Sequence, residues 1–172
     1  MIMADPTPQE RLQPALLDRL ADNEPEKKLE PREARVMNKA QLREAVLRDL
    51  AWLFNTTKLD SHEDFVGFDF AERSVINFGL PALSGETAST LDVIELERSI
   101  KQAIIDFEPR ITPSSLQVEA LVTELQLDRH NVISVQIRGE LWAYPVPLEL
   151  LLRTDVDLET GQVEIRDLAR WG

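Results

Sequence analysis

The chain has 172 residues, 43% hydrophobic and 29% charged, which is the balance of one folded domain with a real core and not that of a disordered polymer. It contains no cysteine, so disulfide frameworks, thiolate metal sites and cysteine nucleophiles are excluded. Thirty-one acidic side chains against nineteen basic ones give a net charge of -12, which opposes nucleic acid and anionic membrane surfaces as partners; acidity of this size usually just keeps a protein soluble, although it could also steer the chain towards a basic protein face.

The N-terminus lacks the basic end and apolar run of a signal peptide, and no apolar stretch approaches membrane-spanning length, so a soluble, cytoplasmic protein without membrane insertion is expected. Residues 1–37 read as an arm and linker. Leu12, Leu16, Leu17 and Leu20 recur at helical spacing, with the helix starting near Pro14 because Pro14 sits too far inside one begun at Thr7-Pro8-Gln9-Glu10. Pro25, Pro31 and dense mixed charge follow as linker. The leucines form an apolar stripe that either packs back on the domain or docks into a partner.

Residues 38–172 read as a single domain. Leu42, Val46, Leu50 and Leu53 line one edge of a helix over 39–54, broadened by Leu47 and Phe54, with Arg43, Glu44 and Arg48 opposite and Asn55-Thr56-Thr57 at its end. Lys58 to Ser89 is a long irregular connection with scattered aromatics, of which Ser74 to Pro81 is the most structured part. A second helix runs from Leu91 to Phe107 on Val93, Leu96, Ile100, Ala103, Ile104 and Phe107, with Ser89 and Asp92 at its cap. Pro109 has no amide proton and disfavours a helical Glu108, so the helix stops there. Glu108 and Arg110 flank the stop as a local clamp or as a surface for a partner.

Beyond Pro109 the apolar period becomes two. Leu116 and Val118 open a strand whose phase slips near Ala120 and Leu121, which suggests a bulge or burial on both faces. A turn at Asp128-Arg129-His130-Asn131 leads to Ile133, Val135 and Ile137; Leu148 to Leu158 alternate next; and Glu159-Thr160-Gly161 turns into Val163 and Ile165. Strands joined by turns without intervening helices predict an α+β fold, with the N-terminal helices packed on one face of a mainly antiparallel sheet formed by the C-terminal half.

Little in the sequence points to catalysis. His62 and His130 stand in no metal-ligand spacing, the six glycines form no phosphate loop, and no GxSxG elbow occurs, so no cofactor, metal or catalytic residue is assigned. Glu97, Asp106 and Thr112 reproduce the spacing of phage-type muramidases, which makes a peptidoglycan hydrolase the alternative reading. On one helix, however, Glu97 and Asp106 would point to opposite sides and stand about 13 Å apart along the axis. Glycosidase carboxyls need a common cleft and a separation of roughly 5 to 9.5 Å.

Four segments in order, Leu16-Leu17-Asp18-Arg19-Leu20, Leu47 to Thr56 (LRDLAWLFNT), Arg73 to Pro81 (RSVINFGLP) and Phe107-Glu108-Pro109-Arg110, resemble the TssE family, baseplate components of type VI secretion systems related to phage wedge proteins long labelled lysozyme-like. Phe54 stands where that family often has leucine and Phe78 where it often has tyrosine. The resemblance implies assembly without catalysis: a wedge shared with TssF and TssG, TssK reached indirectly, and a TssB/TssC sheath started by strand exchange at a membrane-docked baseplate. It places Glu108, Pro109 and Arg110 at the wedge interface or in the fold that supports it. Leu16, Leu17 and Leu20 are the arm's candidate contacts. Leu150 and Leu152, in the cleanly alternating stretch from Leu148 to Ile165, are candidates for an open sheet edge, where a proline at Leu152 would block sheath assembly and leave wedge binding intact.

Overall fold

Asn38 starts the longest helix by a reciprocal cap: its side chain accepts from the Gln41 amide at 2.9 Å, and its own amide donates to the Gln41 side chain at 2.8 Å. The computed structural model describes residues 14–20, 25–26, 37–61, 65–83, 92–121, 132–143 and 146–168. The helices are α1 (Leu16–Leu20), α2 (Lys39–Phe54), α3 (Asp69–Glu72) and α4 (Val93–Phe107). The strands are β1 (Gln117–Leu121), β2 (Val132–Leu141), β3 (Leu148–Asp157) and β4 (Val163–Asp167). Asp92 caps α4 by accepting from the amides of Ile94 and Glu95. Ser89, His62, the turn at 128–131 and the segment from Thr7 to Glu10 lie outside the described residues.

The fold is α+β. The four strands follow in the order β1-β2-β3-β4, every neighbouring pair antiparallel. Ile133, Val135, Ile137 and Leu141 of β2 share a face with Leu150, Leu152 and Val156 of β3, and all are buried. Onto that face α2 brings Leu42, Val46, Leu50, Leu53 and Phe54, and α4 brings Leu96, Ile100, Ala103 and Ile104. Full burial of each leucine or isoleucine contributes about 1.5–3 kcal/mol, so this two-layer core is the main stabilising term. The other face of the sheet carries a polar ladder, in which Ser134 donates to Asp155 at 2.6 Å and Arg153 donates to Ser134 at 3.0 Å.

Two expectations need correction. No bulge interrupts β1, whose register with β2 runs unbroken from Gln117↔Arg138 to Leu121↔Ser134. The apparent slip arises because Leu121 is a leucine on the outward face at the strand's end, exposed, while Val118 and Ala120 keep the inward phase. Leu150 and Leu152 are not edge residues either. β3 lies inside the sheet between β2 and β4, both leucines are fully buried, and Leu152 pairs with Ile137 on one side and Asp167 on the other. A proline at Leu152 would therefore break the core and a ladder, not a single interface.

Both outer strands are held by helices. On β4, the Asn55 side chain at the end of α2 donates to the Val163 carbonyl and accepts from the Val163 amide, each at 2.9 Å. Arg43 of α2 grips Asp167 through two nitrogens. On β1, the Glu97 carboxylate of α4 accepts from the Ala120 amide at 2.7 Å. Helix cover of this kind blunts a sheet edge against uncontrolled pairing.

Candidate partner-binding site

Because Pro109 ends α4, the chain turns sharply and folds the Glu108 carboxylate back over its own turn. Glu108 is only 3% exposed. Its Oε1 accepts from the Arg110 amide at 3.2 Å and from Arg110 Nε at 2.6 Å, and its Oε2 accepts from Arg110 Nη2. The chain then leaves the turn pinned to β2, with the Thr112 amide donating to Glu140 and the Trp142 amide donating to Arg110.

From Arg110 the ionic contacts continue. Nη2 also donates to Asp49 of α2 at 2.6 Å, the other Asp49 oxygen accepts from Arg48 Nε at 2.9 Å, and Arg48 Nη1 donates to Asp18 of α1. Arg48 also lies over the Trp52 ring, 5.2 Å from its centroid. A single chain of charges, Glu108-Arg110-Asp49-Arg48-Asp18, thus joins three segments distant in sequence. Burial opposes the Arg110 charge, but the hydrogen bond and field of Glu108, followed by those of Asp49, outweigh it and hold the guanidinium pKa above its ordinary value. Arg48 is raised too, chiefly by its hydrogen bond to Asp18. Asp18 keeps its Oδ2 buried without a hydrogen-bond partner among the described residues.

Beside this ionic chain opens a groove of about 420 Å³, walled by Leu17, Trp52, Phe78, Phe107, Pro109 and Arg110 among others. Phe78 and Phe107 meet edge to face, 5.2 Å between centroids at 70°. Phe78 is held there by the bridge between Thr57 and Leu80, where the Leu80 amide donates to Thr56 at 2.8 Å and the Lys58 amide to Leu80 at 2.9 Å. Trp52 is about half exposed at the rim, and Pro109 stands exposed at the top of its turn. The arrangement offers no reacting group; it offers an apolar slot with a fixed ionic wall, suited to receiving a side chain of another protein.

Of the residues picked out in the sequence, Glu108, Pro109, Arg110 and Leu17 come together here. Leu16 and Leu20 lie on the solvent side of α1, 71% and 72% exposed, so α1 seats through Asp18 and Leu17 and leaves two leucines outward. Leu150 and Leu152 are in the core and contribute nothing to the groove. Asp18, Arg48, Asp49 and Trp52 stand within the segments that carry the resemblance but were not read as site residues. Their signal was present, since charged residues in the strings LLDRL and LRDLAW interrupt apolar stripes that need none.

The muramidase-like trio is dispersed into separate structural bonds: Glu97 on the β1 backbone, Asp106 accepting from Gln102 at 2.9 Å, and the Thr112 amide on Glu140. Among the described residues, no group of three or more histidine, aspartate or glutamate side chains could hold a metal ion. No helix among them is long and apolar enough to cross a membrane.

Residues 40–146 match the family model of the baseplate wedge protein gp25. The chain belongs to the gp25 family of baseplate wedge proteins. The match takes in α2, the turn at Glu108-Pro109-Arg110, β1 and β2, hence most of the groove and of the ionic chain. No curated protein and no solved structure matches the chain. Membership of the gp25 family makes it a structural component that works in contact with other baseplate proteins, and the bonds of Glu97 and Asp106 agree with a structural role for both.

Proposed function

We propose that this gp25-family chain is the TssE-type wedge subunit of a type VI secretion baseplate, a contractile injection machine. It binds TssF and TssG at the groove beside Glu108, Pro109 and Arg110, meets TssK only through them, and helps the TssB/TssC sheath to start by strand addition. Residues 1–37 act as an arm whose α1 closes one side of the groove, and residues 38–172 are the wedge domain. The site of action is the cytoplasmic face of the membrane-docked baseplate.

The observation that carries this reading is the ionic chain from Glu108 to Asp18, which fixes Pro109, Leu17 and Trp52 around one apolar slot. Holding a slot rigid before the partner arrives reduces the ordering cost of binding. Strand addition has to begin at an outer strand, and β4 supports this better than β3. The cover on β4 at Val163 and Asp167 is made by side chains, which an incoming strand can displace without breaking the core.

Co-purification with TssF and TssG tests the reading. Leu17→Ser with Trp52→Ser removes two slot walls and keeps the Glu108-Arg110 clamp. The wild type is expected to join the complex, and the folded double variant to be lost from it. Wild-type retention of the double variant would sink the slot as the wedge contact.

A further inference from the structure

Five large apolar side chains between Val66 and Ile76 face water. Phe70 is 96% exposed and Val75 80%, with Val66, Phe68 and Ile76 each more than three-fifths exposed. Scattered single exposures are ordinary in a folded protein, but five within eleven residues, on two turns packed against each other, are an interaction patch. The same segment half-buries Phe65 and Phe78 while leaving these five outside.

The turns do not need those side chains to hold their shape. The buried Asn77 accepts from the Asp60 amide at 2.9 Å and donates to the Asp60 carboxylate at 3.0 Å and the Glu72 carbonyl at 2.9 Å. Ser74 donates to the Ala71 carbonyl and caps Ile76. A frame of polar bonds thus presents an apolar tip. The sequence around that tip leans acidic: within residues 58–77, Asp60, Glu63, Asp64, Asp69 and Glu72 stand against Arg73 and Lys58, the latter paired with Asp60 at 2.8 Å. A second copy, itself carrying a net charge of -12, would bring like charge to this surface.

We propose that residues 65–77 form a second docking surface, an apolar knob that enters a basic-rimmed cleft on another baseplate protein. This rests on the assembly reading and goes beyond it, since the knob is a surface other than the groove. The two are joined through Asn77 and Phe78, so the chain would hold one protein at the groove and present another contact at the knob.

The test uses the TssF–TssG complex as the probe. Phe68→Ser with Phe70→Ser is expected to weaken binding about thirtyfold or more, the loss of an interface hot spot. Wild-type binding should weaken with salt, and amides over 65–77 should gain hydrogen-exchange protection in the complex. If that variant misfolds by circular dichroism, Val75→Ser with Ile76→Ser is read in its place. Wild-type affinity in a folded knob variant, with no protection over 65–77, overturns the knob alone, provided that Leu17→Ser with Trp52→Ser still loses binding. Self-association of the wild type that the knob variant abolishes makes the occupant a second copy and overturns the proposal. Failure of the wild type to bind at all overturns the assembly reading and the knob with it.

Discussion

Arg110 donates to Asp49 at 2.6 Å, tying the turn after α4 to the middle of α2 across 61 positions of sequence. The same guanidinium saturates Glu108, so one side chain both neutralises a buried carboxylate and joins two helices.

Arg110→Ala leaves Glu108 buried and uncompensated. Urea denaturation should show a loss of about 2–4 kcal/mol, towards the low end of buried-pair values because Arg110 is itself partly exposed. Lysine should not restore it, since a point charge cannot reproduce the forked contacts. Glu108→Gln combined with Arg110→Met should recover at least about 1 kcal/mol of that loss, because the unpaired charge is gone. Since the Arg110 pKa is raised, the charged form is the one favoured by folding. Its stabilisation is present below the ordinary arginine pKa and lost only above it, so the arginine adds no pH dependence in physiological buffers.

The helices and strands were legible in the sequence because each has a long, clean period: α2 begins and ends at Lys39 and Phe54 as read, and Pro109 stops α4 at Phe107. Leu121 misled, because an exposed leucine at the end of an outer strand looks identical in sequence to a phase change. Leu150 and Leu152 misled for a different reason. Alternation reports that one face of a strand is buried and says nothing about which neighbours the strand has, so β3 could not be placed inside the sheet. The clamp half of the site was visible as Glu108-Pro109-Arg110. Asp49 and Asp18 showed only as charges inside LRDLAW and LLDRL, and their pairing was not legible, since long-range ionic partners leave no spacing in the chain.

Gly79 and Gly67 make a controlled pair. Both have positive φ, 135° and 86°, but a Cβ on Gly79 would lie 2.3 Å from the Thr56 carbonyl oxygen, while one on Gly67 would meet nothing within 4 Å. Gly67→Ala should cost about 1 kcal/mol of backbone strain, whereas Gly79→Ala should cost more than about 3 kcal/mol and break the Thr57–Leu80 bridge. Thermal melts of the two variants side by side decide this, and equal melting temperatures would contradict the close approach.

Asn55→Ala removes both side-chain bonds to Val163 and the bond to the Ala51 carbonyl at the end of α2. A loss of about 1–2 kcal/mol is expected. The Val163 amide should exchange with solvent much faster while amides of β2 hold their protection. Uniform loss over the whole sheet would mean that Asn55 supports the core and not the margin.

The turn between β3 and β4 should carry an acid sensitivity. Asp157 accepts from the Glu159 and Thr160 amides at 2.8 and 3.1 Å, and these bonds lower its pKa, those from Thr160 most. With the folded pKa below the unfolded one, the contribution is present above the ordinary carboxylate pKa and disappears as pH falls through the folded value. Asp157→Asn should therefore lower the neutral plateau of a stability–pH curve slightly and converge with the wild type in strongly acidic buffer, which flattens part of the acid limb.

The cover that α2 and α4 place over β4 and β1 makes the sheet finite. Side chains occupy the Val163 amide and carbonyl on β4 and the Ala120 amide on β1, positions where a ladder extended from either margin would need free groups. Any strand added at β4 would first have to displace the Asn55 side chain from Val163. The threshold is local and small beside the energy of the core, which allows the margin to open while the domain stays folded.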